Sequence, residues 1–254
     1  MAVSRQSGAS IMSWTEQVFN YCERGLEPSF WAEPVNAVSN GAFLVAAALA
    51  AISLRQDASE GRSVSGGEQA VLWLLVALVA VIGIGSFLFH TFATRWALIA
   101  DVAPITVFMI AYLAYALRML LQLGWLAIAA ALVAFLYAGS IASNLTCQGP
   151  PDAGGAPSVV PCFNGSLGYA PALATLFLIG GILVRRGSPS GRRLLMTGGV
   201  FALSVLMRTI DRDVCDVTHA IGQPRGTHAF WHLLNGVMLY LLLSVAIDRH
   251  RQSR

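Results

Sequence analysis

The chain reads as an all-α integral membrane bundle of seven transmembrane helices, a single domain over residues 1–254. Hydrophobic residues make up 56% of the sequence and charged residues 11%, whereas a water-soluble domain carries about 25% charged residues. Seven runs approach the ~20 apolar residues that a helix needs to cross a bilayer. Those runs are uniformly apolar and lack the polar–apolar alternation of barrel strands.

Residues 1–34 form an N-terminal segment of mixed polarity. It shows no short apolar stretch followed by a small-residue cleavage site, so no cleavable signal peptide is expected. The spans fall at about 35–54, 69–92, 97–117, 122–142, 166–184, 194–209 and 228–247, and 248–254 form a tail. The sixth is the weakest, because Arg193 and Arg208 bracket it. Both are read as ends that snorkel to the interface. Residues 56–68 form a polar linker, and the Gly- and Pro-rich loop 143–165 is expected to be irregular and exposed.

All 16 basic residues are Arg. Without Lys the chain cannot form the Schiff base of a retinal protein. The net charge of +3 is spread along the loops, which argues against a nucleic-acid partner, and no protein partner is inferred. Ten Arg fall in the first, third and fifth loops and the C-terminal tail, against six elsewhere. The bias places the N-terminus outside and the C-terminus in the cytoplasm. Cys22, Cys147, Cys162 and Cys215 then all face outward, where disulfides belong. Four cysteines allow three pairings. The reading adopted is Cys147–Cys162 with Cys22–Cys215, the alternative being four free thiols.

The chemistry-bearing residues gather at the outer face. Ser86 and His90 are four apart near the end of the second span, so they share one side of the helix. Four further crossings bring the start of the seventh span to the same face, with His228 and His232 again four apart and able to grip one ion. Asp101 enters the outer end of the third span. Three imidazoles with a position left open suit zinc, which acidifies water and polarises a carbonyl. Asp101 is the expected proton acceptor and Ser86 the hydroxyl that steadies an oxyanion. The plain alternative is a set of interfacial histidines, but ionisable groups at membrane depth are costly and usually functional. His219 is read as solvated and His250 as cytoplasmic. Asp211, Asp213 and Asp216, beside Arg208 and Arg212, are read as a salt-bridged surface loop. Ser86 lacks the Gly-x-Ser-x-Gly elbow of a serine lipase.

Three blocks resemble the alkaline ceramidase family, within the seven-helix hydrolase superfamily that also holds the adiponectin receptors and Per1-type proteins. They are Tyr21-Cys22-Glu23 through Phe30-Trp31-Ala32-Glu33-Pro34-Val35-Asn36-Ala37-Val38-Ser39-Asn40; Ser86-x-x-x-His90 with Asp101; and Asp213-Val214-Cys215-Asp216 followed by His228-Ala229-Phe230-Trp231-His232. The resemblance covers nearly the whole chain. It implies hydrolysis of ceramide, a membrane lipid, to a sphingoid base and a fatty acid. It also implies zinc on His90, His228 and His232, catalytic roles for Ser86 and Asp101, and a Cys22–Cys215 disulfide.

Some members of the family also bind calcium through the N-terminal block, which makes Asn20, Glu23 and Glu33 candidate calcium ligands here. Asn20 replaces an acid, however, and Arg24-Gly25 departs from the pattern. Calcium prefers several carboxylate oxygens, so the alternative is that Glu23 and Glu33 form structural ion pairs, with Arg24 or Arg212 as partners. Two further functional alternatives are a hydrolase of another lipid amide or ester, and a zinc-containing receptor without turnover.

Overall fold

The structure, a computed structural model, describes residues 13–59, 66–149, 151, 156–220 and 223–252. Seven helices are long and apolar enough to cross a membrane: Pro34–Ser59, Gly66–Phe92, Arg95–Leu120, Trp125–Ser143, Cys162–Arg185, Pro189–Ile210 and His228–Arg249. The chain is therefore an all-α multi-pass bundle, as its composition predicts. Large apolar side chains such as Leu44, Leu74, Leu126 and Val133 point outward, a surface suited to lipid rather than water.

The first span is two helices, α1 (Pro34–Ser39) and α2 (Gly41–Ser59). Pro34 starts α1 where a missing amide costs nothing. At the junction, Asn40 donates its side-chain amide to Asn36 O at 2.8 Å. The second and third spans are α3 (Gly66–Phe92) and α4 (Arg95–Tyr115), the latter carrying Pro104 and ending in a π-helical turn, Ala116–Leu120. α5 (Trp125–Ser143) buries only Ile128. A 3-10 segment (Cys162–Tyr169) leads into α6 (Ala170–Arg185), followed by α7 (Pro189–Ile210) and α8 (His228–Gln252).

α7 starts earlier than the apolar run suggests. Arg192 and Arg193 lie in its first turns, and Arg193 pairs with Asp248 of α8. The other bracketing residue, Arg208, does not snorkel outward. Its guanidinium turns into the bundle over the rings of Tyr169 and Trp231, 5.5 and 5.9 Å from their centroids.

The described ends of the loop after α5 are paired strands rather than irregular backbone, and they are largely exposed. Strands β1 (Thr146–Gly149) and β2 (Ser158–Pro161) pair antiparallel, and the Cys147–Cys162 disulfide closes the hairpin. A short ladder of β3 (His219–Ala220) and β4 (Gln223–Pro224) joins α7 to α8. The second disulfide links Cys22 to Cys215, 193 residues apart, so both pairs match the expected pairing.

The close approach of α3 and α4 depends on Gly85. A Cβ there would overlap the carbonyl of Ala100, beside Asp101. The segment 13–33 lies across the end of the bundle where α3 finishes and α8 begins. Val18 N donates to Ala93 O at 2.7 Å, and Arg95 N donates to Glu16 O at 3.1 Å.

Candidate metal centre

His90 lies in the last turn of α3, and His228 and His232 in the first turns of α8. All three are at most 1% exposed. Their ring centroids are 4.7 Å (His90–His232), 4.6 Å (His228–His232) and 5.1 Å (His90–His228) apart. One nitrogen from each ring lies within 4.8 Å of the others, so the group can hold a metal ion.

The hydrogen bonding supports that use. His90 Nε2 and His228 Nδ1 are buried without a hydrogen-bond partner, although buried polar atoms are nearly always paired. A cation between the rings would satisfy both. The opposite nitrogen of His90, Nδ1, donates to Glu33 Oε2 at 2.6 Å. That bond leaves Nε2 with its lone pair free, the arrangement by which a carboxylate orients a metal-binding imidazole. His232 Nδ1 is held by the Ser39 hydroxyl at 2.7 Å.

Glu33 is held in turn by Arg24, which is 3% exposed. Arg24 Nε donates to Glu33 Oε1 at 2.6 Å, Nη1 to the carbonyls of Glu27 and Ser29, and Nη2 to those of His90 and Thr91. Asn36 Nδ2 also donates to Glu33, at 3.1 Å. Burial works against ionisation of Glu33, but His90, Arg24 and Asn36 outweigh it and hold the carboxyl below its usual range.

The calcium expectation is not supported by this geometry. Glu23 accepts the amides of Val35 and Asn36 and the guanidinium of Arg225 at 2.5 Å. Every carboxylate oxygen of Glu23 and Glu33 thus already has a protein donor, and Asn20 is exposed. The ion-pair alternative describes the site, with Arg225 rather than Arg212 as the partner of Glu23. The physical reason is Arg24, whose guanidinium supplies the positive charge beside Glu33.

Ser86 and Asp101, 3% and 8% exposed, stand beside the histidines. The Ser86 hydroxyl and His90 both act on the Asp101 carboxylate, whose Oδ1 is otherwise unpartnered. The five residues predicted to converge are therefore gathered at one place. His219 falls in β3 and His250 near the end of α8.

The reading of Asp211 as part of a surface loop needs correction. Asp213 and Asp216 are exposed, but Asp211 is fully buried. Its carboxylate accepts the amides of Thr227 at 2.7 Å and His228 at 2.8 Å at the start of α8, and that of Cys22 at 3.0 Å. A negative charge at a helix N-terminus is favourable, so Asp211 anchors the turn that presents His228. Burial raises its carboxyl, and these three amides oppose the rise. Gly226 (φ 64°) permits the turn, since a Cβ there would meet Cys22 Cβ at 2.7 Å.

Tyr21 and Arg208 complete the site and were not among the candidates from sequence. The Tyr21 ring stacks on His228 at 3.7 Å. Burial pushes its phenol up, with Arg208 opposing. The signal for Tyr21 was its place beside Cys22. The signal for Arg208 was a charge in the weakest span.

Tyr21, Ser86, Asp101, Arg208, His228 and His232 line one end of a cavity of about 1020 Å³ of atom-free space, its mouth included. The rest of the wall is mostly apolar and includes Phe108, Phe135, Leu176, Phe201, Leu239 and Leu242, interrupted by Tyr112, Tyr169, Thr175 and Asn235. His228 and Leu242 are separated by about 21 Å of helix at 1.5 Å per residue. The arrangement is a polar, metal-competent end on a long apolar pocket, the usual form of a site for an apolar ligand with one reacting group. No protein-family model and no curated protein matches this chain.

Proposed function

We propose that this chain is a zinc-dependent hydrolase of long-chain lipid amides, with ceramide as the reference substrate. The observation that carries the reading is the buried trio His90, His228 and His232, set beside Ser86 and Asp101 at the polar end of the apolar cavity. A purely structural metal site has no use for an adjacent carboxylate and hydroxyl opening on a pocket. The donor set also fits zinc, which favours imidazole ligands and keeps one position open in catalytic sites.

Zinc in this seat would polarise the amide carbonyl and bring the pKa of a water toward neutrality. The fatty chain lies along the apolar wall, which orients the amide at the polar end and excludes bulk water. Asp101 takes a proton from the attacking water, whose oxygen bonds to the carbonyl carbon. Ser86 donates a hydrogen bond to the carbonyl oxygen as charge develops there. As the C–N bond breaks, Asp101 returns the proton to the leaving nitrogen. The products are a fatty acid and an amine. Ser39 and Glu33 keep His232 and His90 in position throughout.

The same reading puts the metal centre, the N-terminus and both disulfides on the outer side, with the C-terminus in the cytoplasm. Disulfides persist in oxidising compartments, and the loops at the other end carry the excess of Arg.

The test is hydrolysis of a fluorescent ceramide by detergent-purified protein, with metal content measured on the same sample. Wild type should carry about one zinc per chain. His232→Ala should lose zinc and turnover together. Asp101→Asn should keep zinc and lose about 10²–10⁴-fold in rate. Wild-type protein without zinc overturns the reading, and a fully active Asp101→Asn overturns the base assignment.

A further inference from the structure

Arg208 and Asp101 are the only carboxylate or guanidinium side chains among the described residues lining the cavity. The catalytic reading uses Asp101 and leaves Arg208 without a role. A guanidinium inside a membrane bundle is expensive and marks a functional site by default.

The setting of Arg208 is built rather than incidental. Nη1 donates to Asn164 O at 2.6 Å and Ser166 Oγ at 3.1 Å, which fixes the group against the 3-10 segment. Its face covers Tyr169 and Trp231. Asn164 returns a side-chain hydrogen bond to Arg208 O at 3.3 Å. Among the described residues no carboxylate forms an ion pair with it. Tyr21, Tyr169, Asp101 and His228 are in electrostatic reach, and the Tyr21 and Tyr169 side chains also lie within hydrogen-bonding reach of the guanidinium.

With a divalent cation on the histidines, Asp101 cannot offset both positive groups, and the polar end is left net positive in a medium of low dielectric. A neutral head such as the diol of ceramide does nothing to correct that imbalance. A carboxylate does, and the planar guanidinium fork matches carboxylate geometry.

We propose that Arg208 makes this site select lipid amides whose amine-side head carries a carboxylate, the N-acyl amino acids, over neutral-headed amides. The inference rests on the amide-hydrolase reading and narrows its substrate. The acyl chain occupies the apolar wall, the amide meets Asp101 and Ser86, and the carboxylate pairs with Arg208.

N-palmitoylglycine and N-palmitoylethanolamine test this directly, because they share acyl chain and amide and differ in the carboxylate. Wild type should favour the glycine conjugate in kcat/KM by about tenfold or more, the usual weight of a hydrogen bond to a charged group. Arg208→Gln should raise KM for that conjugate by a similar factor and reduce the preference for it over the ethanolamide to about threefold or less, whatever the rate on the ethanolamide itself. Arg208→Lys, which keeps the charge but loses the fork, should fall between and covers a Gln variant that fails to fold.

Binding of both amides to metal-free protein, followed by Trp fluorescence, gives a readout without turnover. Without the cation only the guanidinium fork favours the carboxylate, so the same order with a smaller margin is expected there, and Arg208→Gln should abolish it. Preference of the wild type for the ethanolamide, or an equal loss on both amides in Arg208→Gln, overturns the proposal. Carboxylate-dependent binding with no turnover of either amide would sink the hydrolase reading and leave the Arg208 assignment standing.

Discussion

Gly85→Ala is the sharpest test of how packing positions the chemistry. Gly85 precedes Ser86 on α3 and faces the backbone of α4 just before Asp101. A Cβ at Gly85 would lie 2.7 Å from the carbonyl carbon of Ala100, nearer still to its oxygen, and 3.3 Å from Asp101 N. Ordinary contact begins at 3.4 Å, and the carbonyl oxygen is the limiting atom, so α3 and α4 must part by more than about 1 Å to restore it. Overpacking of this kind costs about 1–3 kcal/mol, which corresponds to a melting shift of several degrees. α4 carries Asp101, the proposed proton acceptor, and none of the three histidines, whereas α3 is tied at its end by the His90–Glu33 bond, so a displacement taken up by α4 falls on Asp101. A misplacement near 1 Å can cost about 10²-fold in rate. The expected variant keeps its zinc, melts lower and loses about 10–100-fold in turnover. Gly139→Ala on α5, where a Cβ meets nothing within 4 Å, is the control and should melt no lower than wild type. Equal melting temperatures and equal turnover for the two variants would refute the claim that helix contact at Gly85 sets the geometry of Asp101.

Two further predictions concern what holds the centre in place. Glu33→Gln removes the charge that fixes His90 and should weaken zinc binding about 10–100-fold in chelator competition; unchanged affinity would show that the Glu33–His90 bond does not tune the metal. The Cys22–Cys215 link ties the segment bearing Tyr21 and Arg24 to the turn before α8. Cys215→Ser should cost about 2–4 kcal/mol in thermal unfolding and speed zinc loss, whereas melting and zinc retention indifferent to the substitution would remove the disulfide from the account of the site.

Seven spans were legible because lipid imposes a simple rule. Every backbone amide must be satisfied within the segment, so length and apolarity alone expose each helix. Departures came where local chemistry overrides hydropathy. Asn40 divides the first span, and the sixth extends back to Pro189, a proline suited to the first helical position. The strand pair β1 and β2 lay hidden in a Gly-rich loop that the Cys147–Cys162 disulfide also closes.

The sequence by itself determined the bundle and the parity of crossings that brings His90 to the face of His228 and His232, whereas placing all four cysteines on one side left three pairings open, and the structure decided between them. The bundle and the parity follow from periodicity and counting, which are local properties. Tertiary structure alone decided which charges are buried and whom they meet. Asp211 reads like its exposed neighbours Asp213 and Asp216, yet it is enclosed and caps the helix that bears two of the histidines. Arg24 reads as a break in a calcium motif, yet it is the internal cation that binds Glu33 to the backbone of His90. Arg208 reads as the end of a span, yet it turns inward onto the cavity. The fate of a charged side chain depends on the dielectric and the partners around it, and those are supplied by residues tens to nearly two hundred positions away.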